Sequence, residues 1–263
     1  MPANYLRGLT GRHRTRSANR QLGAMLAFNA GAINAGGFLA VQRYTSHMTG
    51  VVSSIADDLV LGQWAVALGG LMLLASFMAG AMVTALLTNW ARRRAMHSEY
   101  ALSLLLEALL LLVFGLLGSQ IAHLSEHLRL YALMPATVML LCFIMGLQNA
   151  VVTKISQAEI RTTHVTGLVT DLGIELGRLA YWNRERSRMD ASGAHIPLPP
   201  VRADRARIAL LTLILGLFFM GGLIGALAFK QFGFLATVPL ALTLITLAAL
   251  PLIDDLRLTP TPR

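Results

Sequence analysis

A lone cysteine, Cys142, set inside an apolar run, is the only thiol in the chain. It can form neither an intrachain disulfide nor a thiolate metal cluster, and it reads as a packing residue. Charge is scarce as well. Only 13% of residues are Asp, Glu, Lys or Arg, about half the share expected of a soluble globular domain. No phosphate-cradling P-loop, GxGxxG, HExxH, CxxC or Ser-His-Asp order occurs, so enzymatic readings have no motif behind them. The sequence therefore points to a protein that is not an enzyme and has no resident cofactor or metal.

What remains is apolar. Hydrophobic residues make up 55% of 263 positions, and the mean hydropathy is +0.61. Six stretches, approximately 21–41, 64–90, 100–122, 131–152, 208–229 and 234–253, are long enough to cross a hydrocarbon layer, which takes about 20 helical residues. The runs are continuous rather than alternating, so helices satisfy their backbone better than a barrel would. The composition predicts a polytopic helical membrane protein.

The net charge of +9 does not suggest nucleic acid once its distribution is considered. Five Arg lie in residues 1–20, three at Arg92–Arg94, seven between Arg178 and Arg207, and two near the C-terminus. Only Arg129 and Lys230 fall in the intervening loops. With six spans, every basic cluster lies on one face, as the positive-inside rule requires. Both termini are then cytoplasmic, and the Arg clusters are drawn to anionic headgroups. The Arg-rich start reads as a retained signal anchor rather than a cleaved peptide. The organisation predicted is a basic cytoplasmic tail over 1–20, one transmembrane domain over 21–253 and a cytoplasmic tail over 254–263. A Pro- and Arg-containing insert, 183–207, reads as a cytoplasmic, partly disordered linker.

A phrase is repeated within that domain. Gly31, Asn34 and His47-Met48-Thr49-Gly50 in the first half match Gly146, Asn149 and His164-Val165-Thr166-Gly167 in the second. The Asn pair is offset by 115 and the His pair by 117; Ser54 then matches Asp171 and Asp58 matches Glu175. Phe77-Met78-Ala79-Gly80 corresponds to Phe219-Met220-Gly221-Gly222 at an offset of 142. Under the charge-derived topology, matching segments run in opposite directions. The fold predicted is an all-α membrane protein of six transmembrane helices in an inverted 3+3 repeat, with halves at about 21–122 and 131–253. Such repeats commonly place a site between their halves. Residues 47–61 and 164–178 are too short to span and read as two re-entrant or half-buried helices. The connectors Val41–Ser46 and Thr153–Thr163 would then line something polar.

Candidate pathway residues follow from this pattern. On a helix, His164, Asp171, Glu175 and Arg178 share a face, as do His47, Ser54 and Asp58. Ionisable groups at membrane depth commonly mark ion, proton or substrate paths, although the two helices could equally be amphipathic surface elements. For His47 and His164 the readings are support of helix caps made by Ser46 and Thr163, a proton or substrate contact, or a metal-ligand pair; the spacing matches no zinc motif. Glu107, alone among leucines, is either a proton site or a structural partner of Arg43 or Lys154. The pathway set is Asn34, His47, Thr49, Asp58, Glu107, Asn149, His164, Thr166, Asp171 and Glu175. Gly221 and Gly225 have GxxxG spacing, which suits a helix contact or a homodimer face.

The His-Met-Thr-Gly and Gly-Leu-Gln-Asn-Ala phrases, with Arg161-Thr162-Thr163-His164, resemble the YoaK-like family of bacterial inner-membrane proteins, a domain of unknown function. The resemblance covers roughly residues 20–253. It implies a multi-pass inner-membrane protein and supplies no substrate. The family more often has Asp where this chain has Asn34. The residues themselves suggest a secondary transporter or channel for a small solute or ion. The alternative is a non-transporting membrane scaffold or sensor acting through the basic insert.

Overall fold

The computed structural model describes residues 15–41, 44–96, 98–120, 134–155, 165–181, 183, 187–189 and 195–258. These residues form eight α-helices: α1 (Arg16–Val41), α2 (Met48–Val60), α3 (Trp64–Arg93), α4 (Ala101–Gln120), α5 (Met134–Ile155), α6 (Val165–Ala180), α7 (Arg205–Phe232) and α8 (Thr237–Leu258). Five helical stretches among them are long and apolar enough to cross a membrane: α1, α3, α4, α5 and Arg205–Ile253. That last stretch has 49 residues and takes in α7 and most of α8, with a 3-10 turn at Gly233–Ala236 between them. Gly233, at φ 57°, breaks the path there, a left-handed conformation that glycine adopts without a Cβ clash. The chain has the architecture of a helical multi-pass membrane protein.

The two short helices are as short as the sequence predicts. α2 has 13 residues and α6 has 16, about 20 and 24 Å of helix, less than the roughly 30 Å of hydrocarbon. No residue of α2 is buried, and α6 buries only Leu168 and Glu175. Each lies along the helix that follows it, α2 on α3 and α6 on α7.

The pairing of helices repeats at an interval of four. α1 packs against α7, and α5 packs in the same way against α3. α4 touches α5 while α8 touches α1, and α4 and α8 pack against each other. The two strongest crossings are built on glycine. A Cβ at Gly31 would lie 2.8 Å from the Phe218 carbonyl carbon, and one at Gly221 would lie 2.8 Å from that of Phe28. On the other crossing, Gly146 meets the Phe77 carbonyl carbon at 2.8 Å and Gly80 meets that of Phe143 at 2.9 Å. Side-chain-free surfaces let helix backbones touch, which is how packing is gained where lipid and protein are equally apolar. The α3–α5 crossing adds two interhelical bonds, Ser76 Oγ to the Met139 carbonyl at 2.8 Å and Thr84 Oγ1 to that of Leu147 at 2.9 Å.

These contacts correct the sequence alignment by one residue. Phe28 and Gly31 match Phe143 and Gly146 at 115, as the sequence indicates, but Phe77 and Gly80 match Phe218 and Gly221, an offset of 141. Register is set by which glycine meets the opposite carbonyl. Gly222, the partner chosen from sequence, would meet the Ala35 Cβ at an ordinary 3.6 Å. The helix starts agree with 141, since Gln63 immediately precedes α3 and Asp204 immediately precedes α7. The GxxxG pair is occupied within the chain: Gly225, like Gly221, closes on α1, with its Cβ position 2.5 Å from the Ala32 Cα.

The described residues of the insert include a short pair of strands. Two antiparallel strands, β1 (Ser187–Met189) and β2 (His195–Pro197), pair Arg188 with Ile196. Asn183 clamps their base, its Nδ2 donating to the Val201 carbonyl and its Oδ1 accepting from the Val201 N–H, both at 2.9 Å.

Candidate functional site

A cavity of about 570 Å³ opens where α1, α2, α3, α5, α6 and α7 meet. From the first half it is lined by Asn34, Tyr44, Ser46, His47, Met48, Thr49 and Phe77; from the second, by Asn149, Thr153, Val165, Thr166 and Phe218. Four pairs among these are repeat equivalents: Asn34 with Asn149, Met48 with Val165, Thr49 with Thr166, and Phe77 with Phe218. The positions that would match Tyr44, Ser46 and His47 lie in 161–164, outside the described residues. Both halves thus contribute the same chemistry to one space: an amide from the first helix, a hydroxyl from the short helix and a phenyl ring from the crossing.

Local sequence explains the positions. Asn34 lies three residues beyond Gly31, whose contact with Phe218 makes the α1–α7 crossing, and both Asn34 and Phe218 line the cavity. Its Oδ1 accepts the Ser46 hydroxyl at 2.8 Å, which ties the connector back to α1. Tyr44 stacks on Phe38 of α1, with ring centroids 4.4 Å apart. His47 is the residue before α2, with no side chain capping that helix. Ser46 is therefore not the cap read from the sequence, because its hydroxyl is committed to Asn34. The imidazole folds over Gly50, where a Cβ would lie 2.7 Å from Nε2. His-x-x-Gly is thus a packing unit in which the glycine gives the ring room beside the cavity.

The acidic candidates lie elsewhere. Glu175 is 2% exposed; its carboxylate accepts Arg178 Nη1 at 2.8 Å and the Asp204 N–H at 3.0 Å, holding the start of α7. Asp171 pairs with Arg207 at 3.0 Å across the same junction. Asp58 is half-buried on α2 and does not line the cavity. Glu107 is fully buried on α4, and its partner is Gln148 rather than Lys154, while Arg43 lies outside the described residues. His164 is also outside them. Five of the ten candidates, Asn34, His47, Thr49, Asn149 and Thr166, therefore converge on the cavity. The phenyl rings Phe77 and Phe218 were not singled out as site residues, although the Phe-x-x-Gly spacing of both crossings marks them. Among the described residues, no group of His, Cys, Asp and Glu could hold a metal ion.

The cavity wall, as described, carries hydroxyls, amides and aromatic rings, with His47 its only titratable group besides the phenol of Tyr44. Such groups exchange hydrogen bonds with a solute. No curated protein and no solved structure matches the chain. A family model does match, over residues 22–250, nearly the whole of the helical region. The chain belongs to the family described as "Protein of unknown function (DUF1275)".

Proposed function

We propose that the chain is a secondary transporter or channel for a small, uncharged, hydrogen-bonding solute, and that the solute occupies the cavity shared by the two halves. One observation carries this reading: four of the cavity's lining pairs are repeat equivalents. Paired amides and hydroxyls suit a polyol, sugar or amide, and Phe77 and Phe218 suit its apolar face. A volume of about 570 Å³ falls within the roughly 300–1,000 Å³ of ordinary small-molecule sites.

The architecture proposed is six crossings in two inverted halves, α7 and α8 each crossing once. The offsets of 115 and 141 and the repeated pairing of α1–α7 with α5–α3 support it. Both termini and the insert face the cytoplasm of a bacterial inner membrane, where their arginines meet anionic headgroups. In alternating access, one half rocks against the other around a fixed site.

The test is uptake of labelled polyols, sugars and small amides, with inorganic ions for comparison, into vesicles containing the purified chain. Uptake of a neutral solute that falls at least tenfold in the folded Asn34→Leu/Asn149→Leu variant is expected. No protein-dependent uptake of any neutral solute would overturn the proposal and favour the scaffold or sensor reading.

A further inference from the structure

Outside the cavity, α4 and α5 enclose a second polar group of a different kind. Glu107 and Gln148 are both fully buried, and Gln148 Nε2 donates to Glu107 Oε1 at 2.7 Å. Three polar atoms here have no partner: Glu107 Oε2, Gln148 Oε1 and Ser103 Oγ, the last one turn earlier on α4. Buried polar groups are almost always paired, so three orphans together call for an explanation. As a carboxylate, Glu107 presents only acceptors, and the Gln148 carbonyl oxygen is one more. The missing component is a hydrogen.

A carboxylic acid and a primary amide are complementary. With a proton on Oε2, Glu107 can donate to Gln148 Oε1 while Gln148 Nε2 donates to Glu107 Oε1, leaving neither oxygen alone. When the proton leaves, the unpaired Ser103 hydroxyl, one turn earlier on α4, is a donor that can turn toward the new anion. The site thus holds a partner for each protonation state. Metal or ammonium occupancy is a poorer fit, because one carboxylate and two neutral oxygens would face the cation in a dry apolar setting.

We propose that the Glu107–Gln148 pair is a proton-binding site: a proton from water adds to a lone pair of Oε2 and later departs to water, with no other bond changed. The titratable groups on the helices packed against α4 are Arg92 and Arg93 on α3, Cys142 and Lys154 on α5, and Asp255 on α8, among the described side chains. Arg92 pairs with Glu99, Asp255 accepts from Ser98, and none of the five bonds to Glu107. Among the described residues, the proton is therefore the only charge partner this geometry offers. Gln148 adjoins Asn149, which lines the cavity, so α5 carries both groups. Coupling of the proton to solute movement through α5 rests on the transport reading above.

The experiment is infrared difference spectroscopy of the reconstituted full-length chain during a pH titration with no solute added. A protonated-carboxyl band that vanishes on alkalinisation is expected, and it shifts when the glutamates are carbon-13 labelled. It is absent in Glu107→Gln, which keeps the shape and the hydrogen bonds, and it moves in Glu107→Asp, which serves if the first variant fails to fold. Ser103→Ala is expected to raise the midpoint of the titration, because it removes the donor awaiting the anion. A wild-type chain with no such titrating band, or a folded Glu107→Gln variant with an unchanged band, overturns the proposal. The outcomes remain separable. A titrating Glu107 without solute uptake supports the proton site and rejects transport. Uptake without a titrating Glu107 rejects the proton site and leaves transport standing.

Discussion

Replacing Gly80 with alanine tests the crossings that hold the cavity's wall in place. The added methyl carbon would lie 2.9 Å from the Phe143 carbonyl carbon and also 2.9 Å from the Leu147 nitrogen. The Phe143 carbonyl oxygen is the nearest atom, closer than either of these, and ordinary contacts begin at about 3.5 Å, so α3 and α5 must part by roughly 1 Å or more. The obstacle is backbone on both sides, and no rotamer relieves it. Over-packing of this kind costs about 1–3 kcal/mol. Parting the helices also stretches the Ser76–Met139 and Thr84–Leu147 bonds, now 2.8 and 2.9 Å, each worth about 0.6 kcal/mol between membrane helices. The total is about 2–4 kcal/mol, or roughly 5–15 °C in Tm for a chain of this size. Gly69, on the same helix with nothing within 4 Å of its Cβ position, is the control. There alanine is expected to be neutral or to stabilise by up to about 1 kcal/mol. Thermal aggregation in detergent, followed by size-exclusion elution of heated samples, measures both. The same contrast is expected on α7, with Gly221→Ala destabilising and Gly216→Ala harmless. Equal Tm values for Gly80→Ala and Gly69→Ala would refute the crossing argument.

Asn29 is 3% exposed with neither amide atom paired, and its repeat equivalent is the fully buried Ile144. Asn29→Leu is accordingly expected to raise stability by about 1 kcal/mol, and a lower Tm would show that the amide has a structural task. Gly50→Ala is expected to displace the His47 ring without unfolding the chain, because the new methyl meets a movable side chain. Solute uptake should fall as far as in His47→Ala while Tm changes little; full uptake would show that the ring's place is immaterial. For topology, cysteines at Ser119 and Tyr181 in a Cys142→Ala background are expected to react with an impermeant thiol reagent from opposite sides of the membrane. Labelling of both from outside intact cells would overturn the inverted arrangement.

The parts of the fold legible in the sequence were those written as long patterns. Apolar runs gave helix positions to within a few residues, and the matched Asn34 and Asn149 line one cavity, whereas His164 lies outside the described residues. The one-residue error at Gly222 arose because Phe219-Met220 imitates Phe77-Met78, whereas contact with a carbonyl, invisible in the sequence, selects Gly221. The strand pair in the insert is not legible in the sequence because three-residue strands show no alternation, and the bond from Asn183 to Val201 spans 18 residues. In the site, helical spacing correctly put Asp171 and Glu175 on one α6 surface. It could not reveal that this surface faces the start of α7, where Asp204 and Arg207 engage both carboxylates. Glu107 stood out by its apolar neighbours, yet Gln148 did not, since an amide within a repeated phrase is easily assigned to the phrase.

Cysteine protection at Thr49 and Thr166 tests most directly whether the two halves build one solute site. Each is replaced singly by cysteine in a Cys142→Ala background, and its rate of modification is followed as the transported neutral solute is added. Both cysteines are expected to react when the cavity is empty and to be protected with the same half-maximal solute concentration. Protection of only one, or half-maximal concentrations differing by more than tenfold, would contradict a shared site.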